Sequence, residues 1–322
     1  QVEKDPKDYA AWLVLGNLQR TADNADAARD SFARAAALEP GRADPHLLLA
    51  ALLRDKREFA DAFAAYDRGI ALLKDRDLKQ EALRAAAEAA IEAKEAARAE
   101  AYFEKLAQTE PHNLFLRMQA ASALARLEEP ALALDKWLQI EAKAGGQLQH
   151  LVIIWKEVAE LQGQLGRYAD AEATWRKGLE KLPTSHYERR TFIEGLVSIH
   201  RRQDRLRELI TEFEPKAERD VELTLTLARL HEELAEDDKA LAYYREAQKR
   251  RPTDEEPRAA ALRILERIGK PEEILAAWAE LVRAFPREPR HELKLAELYF
   301  QNKEWAPLQP VILHAMDVVD RE

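Results

Sequence analysis

Apolar and small residues recur three and four positions apart along nearly the whole chain. Trp12, Leu15 and Gly16 form one such cluster, and Ala28, Phe32 and Ala35 form the next. This spacing puts each set on one face of an α-helix, because positions i, i+3 and i+4 are neighbours on its surface. Pro40 closes the segment, since proline cannot continue a helix. The pair therefore reads as two amphipathic helices joined by a short turn. No stretch shows the strict alternation of a half-buried strand, and alanine, leucine, glutamate and arginine dominate while glycine numbers only 10. That mixture favours helix throughout.

The pair repeats. An alanine followed four residues later by an aromatic returns as Ala62/Tyr66, Ala99/Phe103, Ala133/Trp137, Ala171/Trp175 and Ala240/Tyr244, with weaker copies at Leu206/Ile210, Ile274/Trp278 and Leu308/Ile312. A closing proline returns at Pro111, Pro183, Pro252 and Pro286. Units are placed to start at residues 9, 43, 80, 114, 152, 187, 221, 255 and 289, mostly 34 or 35 residues apart. The W-x2-L-G run at Trp12–Gly16, with the A-x3-F run at Ala28–Phe32 and the closing proline, resembles the tetratricopeptide repeat (TPR). Gln19 stands where that pattern has tyrosine.

The resemblance implies an all-α, right-handed TPR superhelical solenoid of about nine helix-turn-helix repeats. Its small residues let paired helices approach, its aromatics fill the gap between neighbours, and no unit buries its apolar face alone. Two steps are long. One contains the charged link Lys74–Asp77, and the other contains Gly145, Gly146 and Gln147. Paired glycines permit unusual backbone angles, so a bend is expected at 145–151. It would divide the chain into residues 1–146 and 147–322, against the alternative of a longer joint with ordinary stacking. Residues 1–8 read as the tail of a preceding repeat. The apolar last helix, from Pro310 to Val319, reads as a surface that a partner or a second copy covers, or as part of a longer protein.

Chemistry is sparse. With no cysteine among 322 residues, thiolate metal sites and cysteine nucleophiles are excluded. The formal charge of -9 argues against general nucleic-acid binding, and no apolar run nears the ~18 residues of a membrane span. Eight scattered histidines form no H-E-x-x-H pair and are expected at the surface or half-buried. Gly163 and Gly166 lack the context of a phosphate loop. Acidic pairs such as Asp237–Asp238, Glu255–Glu256 and Glu272–Glu273 suit the positive end of a helix dipole. No catalytic, cofactor or metal residue is expected. One basic cluster, Arg189–Arg190 with Arg201–Arg207, reads either as a dock for an acidic peptide or as a face neutralised locally by Asp204 and Glu208.

The resemblance makes the first helices of all units line one inner groove. Stepping by the repeat gives Leu13, Asn17, Leu47, Arg54, Arg84, Phe115, Met118, Arg126, Arg229 and Arg263 as candidate partner-binding positions, with Leu13, Leu47 and Met118 equally readable as packing between units. The later units offer Lys156 and Glu160 on the same face. Neither the lysine–asparagine clamp of chaperone-tail binders nor an asparagine ladder is present, since only Asn17 fits. The expectation is a non-catalytic scaffold for a peptide or helical segment of a protein partner, within a larger bacterial assembly. The alternative is a recruiting or regulatory arm of a multidomain enzyme. Arg54→Glu with Met118→Glu is the substitution pair this reading selects to abolish binding while sparing the fold.

Overall fold

Each sequence repeat becomes a helical pair. The computed structural model describes residues 2, 5–269, 271–286 and 288–319, with side chains as far as Met316. Within these residues the first helices of the pairs are α1 (Tyr9–Thr21), α3 (Asp44–Asp55), α5 (Arg76–Glu92), α7 (Leu114–Arg126), α9 (Leu148–Gln164), α11 (Arg189–Arg202), α13 (Val221–Glu233), α15 (Glu256–Ile268) and α17 (Pro289–Gln301). The second helices are α2 (Ala25–Leu38), α4 (Phe59–Leu72), α6 (Ala96–Thr109), α8 (Pro130–Lys143), α10 (Tyr168–Lys181), α12 (Leu206–Ala217), α14 (Asp237–Arg250), α16 (Pro271–Ala284) and α18 (Trp305–Val319). There is no strand among the described residues. The result is an all-helical solenoid of repeats.

Local chemistry sets the boundaries. Asp8 accepts a hydrogen bond from the Ala11 amide at 2.9 Å, and Asn24, Asp75, Asn113 and Asp220 cap their helices in the same way. Each cap satisfies amides that the helix leaves orphaned. Inside every pair the chain reverses through one left-handed residue. These are Asp23, Arg57, Lys94, Glu128, Gly166, Asp204, Ala235, Gly269 and Lys303, with φ between 56° and 73°.

Two expected starts move. The third unit begins at Arg76 rather than residue 80, and the fifth at Leu148 rather than 152. In the third, the Asp75 carboxylate accepts from the Asp77 and Leu78 amides and so starts α5 one turn early. Both α5 and α9 are 17 residues long, against 12 to 14 for the other first helices. The extra residues of the long steps are thus an added helical turn. Gly145 and Gly146 both lie in the left-handed region, at φ 61° and 78°. Packing nonetheless runs through that joint, where Ile140 and Ala144 share a core with Ile154, Val158 and Leu161.

The small-residue pattern packs tightly. Ala28, Ala62, Ala99, Ala133, Ala171 and Ala240 are all fully buried, and their aromatic partners are nearly so. The Phe32 ring lies where a Cβ on Gly16 would be, 2.5 Å from that position, and packs on against Leu52 of the next pair. The weaker copies fade along the chain, ending with Ile312 at 39% exposed. The helices gather into two compact units, one ending at Thr174 and the other beginning at Trp175.

At the chain's ends, Gln1, Glu3 and Lys4 of the expected preceding repeat lie outside the described residues. Within them, the Pro6 carbonyl accepts a hydrogen bond from the Trp12 indole at 3.0 Å. Helix α18 exposes Trp305, Leu313 and Met316, with Phe300 of α17 packed edge-on against Trp305. The side chains of Asp317, Val318 and Val319 fall outside the description.

Candidate functional site

In the first compact unit the inner faces of α5, α7 and α9 leave a cleft of about 650 Å3. Helix α5 contributes Arg84, Glu88 and Ile91, and α7 contributes Phe115, Met118, Gln119, Ser122 and Arg126. Helix α9 supplies Gln149, His150, Ile153 and Glu157, while Phe103 and Trp137 come from the second helices behind. Four of the ten positions predicted from the repeat therefore meet here: Arg84, Phe115, Met118 and Arg126. Phe115 is 62% exposed and Ile153 46%, which is unusual for large apolar side chains on a packed face. The added turn of α9 is what brings in Gln149 and His150, next to Ile153. Stepping by the repeat had pointed to Lys156 and Glu160 on this helix, because the early start at Leu148 carries no sequence cap.

The other predicted positions do not join this cleft. Leu13 and Leu47 are half-buried and pack against their neighbouring cores, Leu47 lying directly over Gly69. Of the four that do join it, Met118 belongs to the buried core that floors the cleft. Asn17 is half-buried on α1. Arg54 forms a two-pronged pair with Glu92 and lies 3.5 Å from Glu88. That pair holds the Glu92 carboxyl below its usual value and the Arg54 guanidinium above its own. In the second compact unit Arg229 pairs with Glu256, and Arg263 stands 3.9 Å from Glu232.

Those ion pairs belong to a wider pattern. Arg29 bridges to Glu58 and Asp61, Arg201 to Glu233, Arg207 to Glu236, and Arg245 to Glu273, each joining one helical pair to the next. Most of the basic cluster of α11 and its following turn is thus paired locally, as one of its two readings had it. Its carboxylates are mainly Glu194, Glu233 and Glu236, with Glu208 the one foreseen partner that takes part, at 2.6 Å from Arg205. Arg189 is buried and clamps the Leu179 and Leu182 carbonyls and the Asp220 carboxylate.

The histidines correct an expectation. His200, His231 and His291 are fully buried rather than superficial. His231 stacks on Tyr243 at 5.4 Å and its Nδ1 lies 2.9 Å from Glu236. The helical pairs are tight enough that a ring on the inner stripe is enclosed whatever its polarity. No group of three or more histidines and acids is placed to hold a metal among the described residues.

A family model described as Tetratricopeptide repeat matches residues 48–290. The chain belongs to the tetratricopeptide repeat family. Its fold neighbours among solved structures are remote. One described as "Structure of Naa15/Naa10 bound to HypK-THB" is 17% identical, with a TM-score of 0.46, and the match covers 97% of this chain and 58% of that one. Another, "Crystal structure of MamA protein", is 16% identical at a TM-score of 0.37, covering 54% of this chain and 91% of that one. No curated protein matches. A TPR array is in general a protein-interaction scaffold and typically non-catalytic, and no helix among the described residues is long and apolar enough to cross a membrane.

Proposed function

We propose that this TPR chain is a non-catalytic scaffold that holds a peptide or helical segment of a protein partner in the α5–α7–α9 cleft, within a larger bacterial assembly. The observation that carries this is the exposure of Phe115 and Ile153 on a recessed wall. Val14, Leu18 and Leu78 are comparably exposed on first helices of the same unit, but they do not line this cleft. Apolar anchors within a cleft of this size are what an interface needs at its centre.

The test uses the two exposed anchors. Arg54→Glu with Met118→Glu, the pair chosen from sequence, would break an ion pair and bury a charge in the core, so a loss of binding could reflect a damaged fold. Phe115→Ala with Ile153→Ala removes the anchors and leaves the core intact. The wild-type chain, used as bait in a bacterial extract, should retain one or a few proteins that this variant releases, with the helical circular dichroism unchanged. Equal retention by both rejects the cleft.

A second reading rests on the apolar patch of Phe300, Trp305, Leu313 and Met316, which suits self-association through α18. Light scattering over a range of concentrations tests it, and a monomer throughout ends it.

A further inference from the structure

The joint between consecutive helical pairs has two halves. The aromatic of a second helix shares a core with an apolar residue of the following first helix: Phe32 with Leu52, Trp137 with Leu161, and Tyr244 with Ile264. All six side chains are at most 4% exposed. Stepping by the repeat carries Leu52 back to Leu18 of α1, and Phe32 forward to Ile312 of α18. Leu18 is 62% exposed and Ile312 39%. Their neighbours show the same contrast. Val14 corresponds to Leu48 and Trp305 to Ala25, both of which pack into the Phe32 core, yet Val14 is 59% exposed and Trp305 58%. Met316 corresponds to the buried Ile70 and is 59% exposed. Helix α1 thus carries one half of the repeating joint and α18 the other, each as an exposed apolar face. Such faces mark interaction sites, and this joint is the one that stabilises a repeat array.

We infer that the partner of the α18 face is a second copy of this chain, whose α1 takes the place of a following first helix and seats Leu18 and Val14 against Ile312, Trp305 and Met316. This rests on the self-association reading above and adds to it which surface of the second copy is used. The register supports the match, because Leu18 and Val14 present to α18 what Leu52 and Leu48 present to α2. The two faces differ, so the contact is head-to-tail, and each added copy leaves one face of each kind free for the next.

Two variants of the full chain test the inference, each placing a charge on one face at an exposed side chain and leaving the other face intact. Leu18→Glu and Met316→Glu, each alone, should raise the concentration at which light scattering shows association by at least about tenfold, a decade in Kd. The cause is a carboxylate stripped of water within an apolar contact. Mixed in equal amounts, the two variants should form a complex of two chains at wild-type concentrations, because one keeps the α18 face and the other the α1 face. Circular dichroism should match wild type for both. The chain has no cysteine, so a bismaleimide links only cysteines that are introduced. A mixture of Leu18→Cys and Met316→Cys copies should give a crosslinked dimer, and neither variant alone should. Wild-type association by Leu18→Glu, with crosslinks among Met316→Cys copies alone, would overturn the head-to-tail contact and leave self-association through α18 standing. A wild-type chain that is monomeric at every concentration would overturn both, leaving these faces to further repeats of the same polypeptide or to another protein.

Discussion

At the scale of single residues, the fold turns on where a Cβ is absent. Gly178 lies within α10, where alanine would ordinarily be favoured by about 1 kcal/mol over glycine. Here the Phe192 ring occupies the position a Cβ would take, as the Trp175 indole does at Gly195, with the two rings edge-to-face at 5.2 Å. Overpacking of this kind costs about 1–3 kcal/mol, so it outweighs the propensity gain. Gly178→Ala should lower the denaturant midpoint, and a midpoint raised or unchanged would show that the ring has room to move. Trp137→Ala should cost roughly 3–5 kcal/mol by the same measurement, since its side chain is fully enclosed beside Ala133. The alanine–aromatic pairs that produce these effects were legible in the sequence because their spacing is rigid. Glycine–aromatic pairs between units were not, because they join residues with no fixed separation along the chain.

At the scale of helices, turns and joints carry information that the sequence expresses weakly. Seven of the nine reversing residues are not glycine, although their φ of 56° to 60° costs an L-residue about 1–2 kcal/mol. Ala235 is the clearest case, having no polar side chain to bond locally. Ala235→Gly should stabilise the chain or leave it unchanged, by up to about 1 kcal/mol once the extra backbone entropy of glycine is set against the strain relieved. A loss of stability in thermal melts would contradict that. The added turn of α9 was visible as a step of 38 residues but could be read as a bend or as a longer joint, because paired glycines dominate the local pattern. Its contribution to a cleft wall emerges only when α5 and α7 stand beside it.

The bridges between pairs belong to this scale too. Hydrogen bonds from Arg201 and Arg54 hold the carboxyls of Glu233 and Glu92 below their usual 4.5. Glu236 is pushed down to about 2 by Lys239, Arg207 and His231. A carboxyl depressed in the folded state adds stability that is complete above its unfolded value and is lost as pH falls through its folded one. The melting temperature should therefore stay level from neutrality to about pH 5 and fall progressively below about 4.5. Arg201→Gln with Arg54→Gln should flatten part of that acid limb. A limb of unchanged steepness would show that these half-exposed pairs contribute nothing measurable, as isolated surface bridges often do.

For the molecule as a whole, repetition made the fold readable. Nine copies of one helical pair, six of them with the small residue and its aromatic, leave few alternatives to stacked helical pairs, and the family match over residues 48–290 agrees. The site was only half readable. Stepping by a constant period found Arg84, Phe115, Met118 and Arg126, yet also selected Arg54, Arg229 and Arg263, whose guanidinium groups face carboxylates of adjacent units. A period identifies which residues share a face, but it does not identify which charges on that face are already paired. The measurement that bears most directly on the cleft as the working surface is hydrogen–deuterium exchange of the chain alone and with its captured partner. Protection should rise in residues 84–91, 115–126 and 149–157, the three cleft walls. Protection confined to the second helices, or to the second compact unit, would contradict the account.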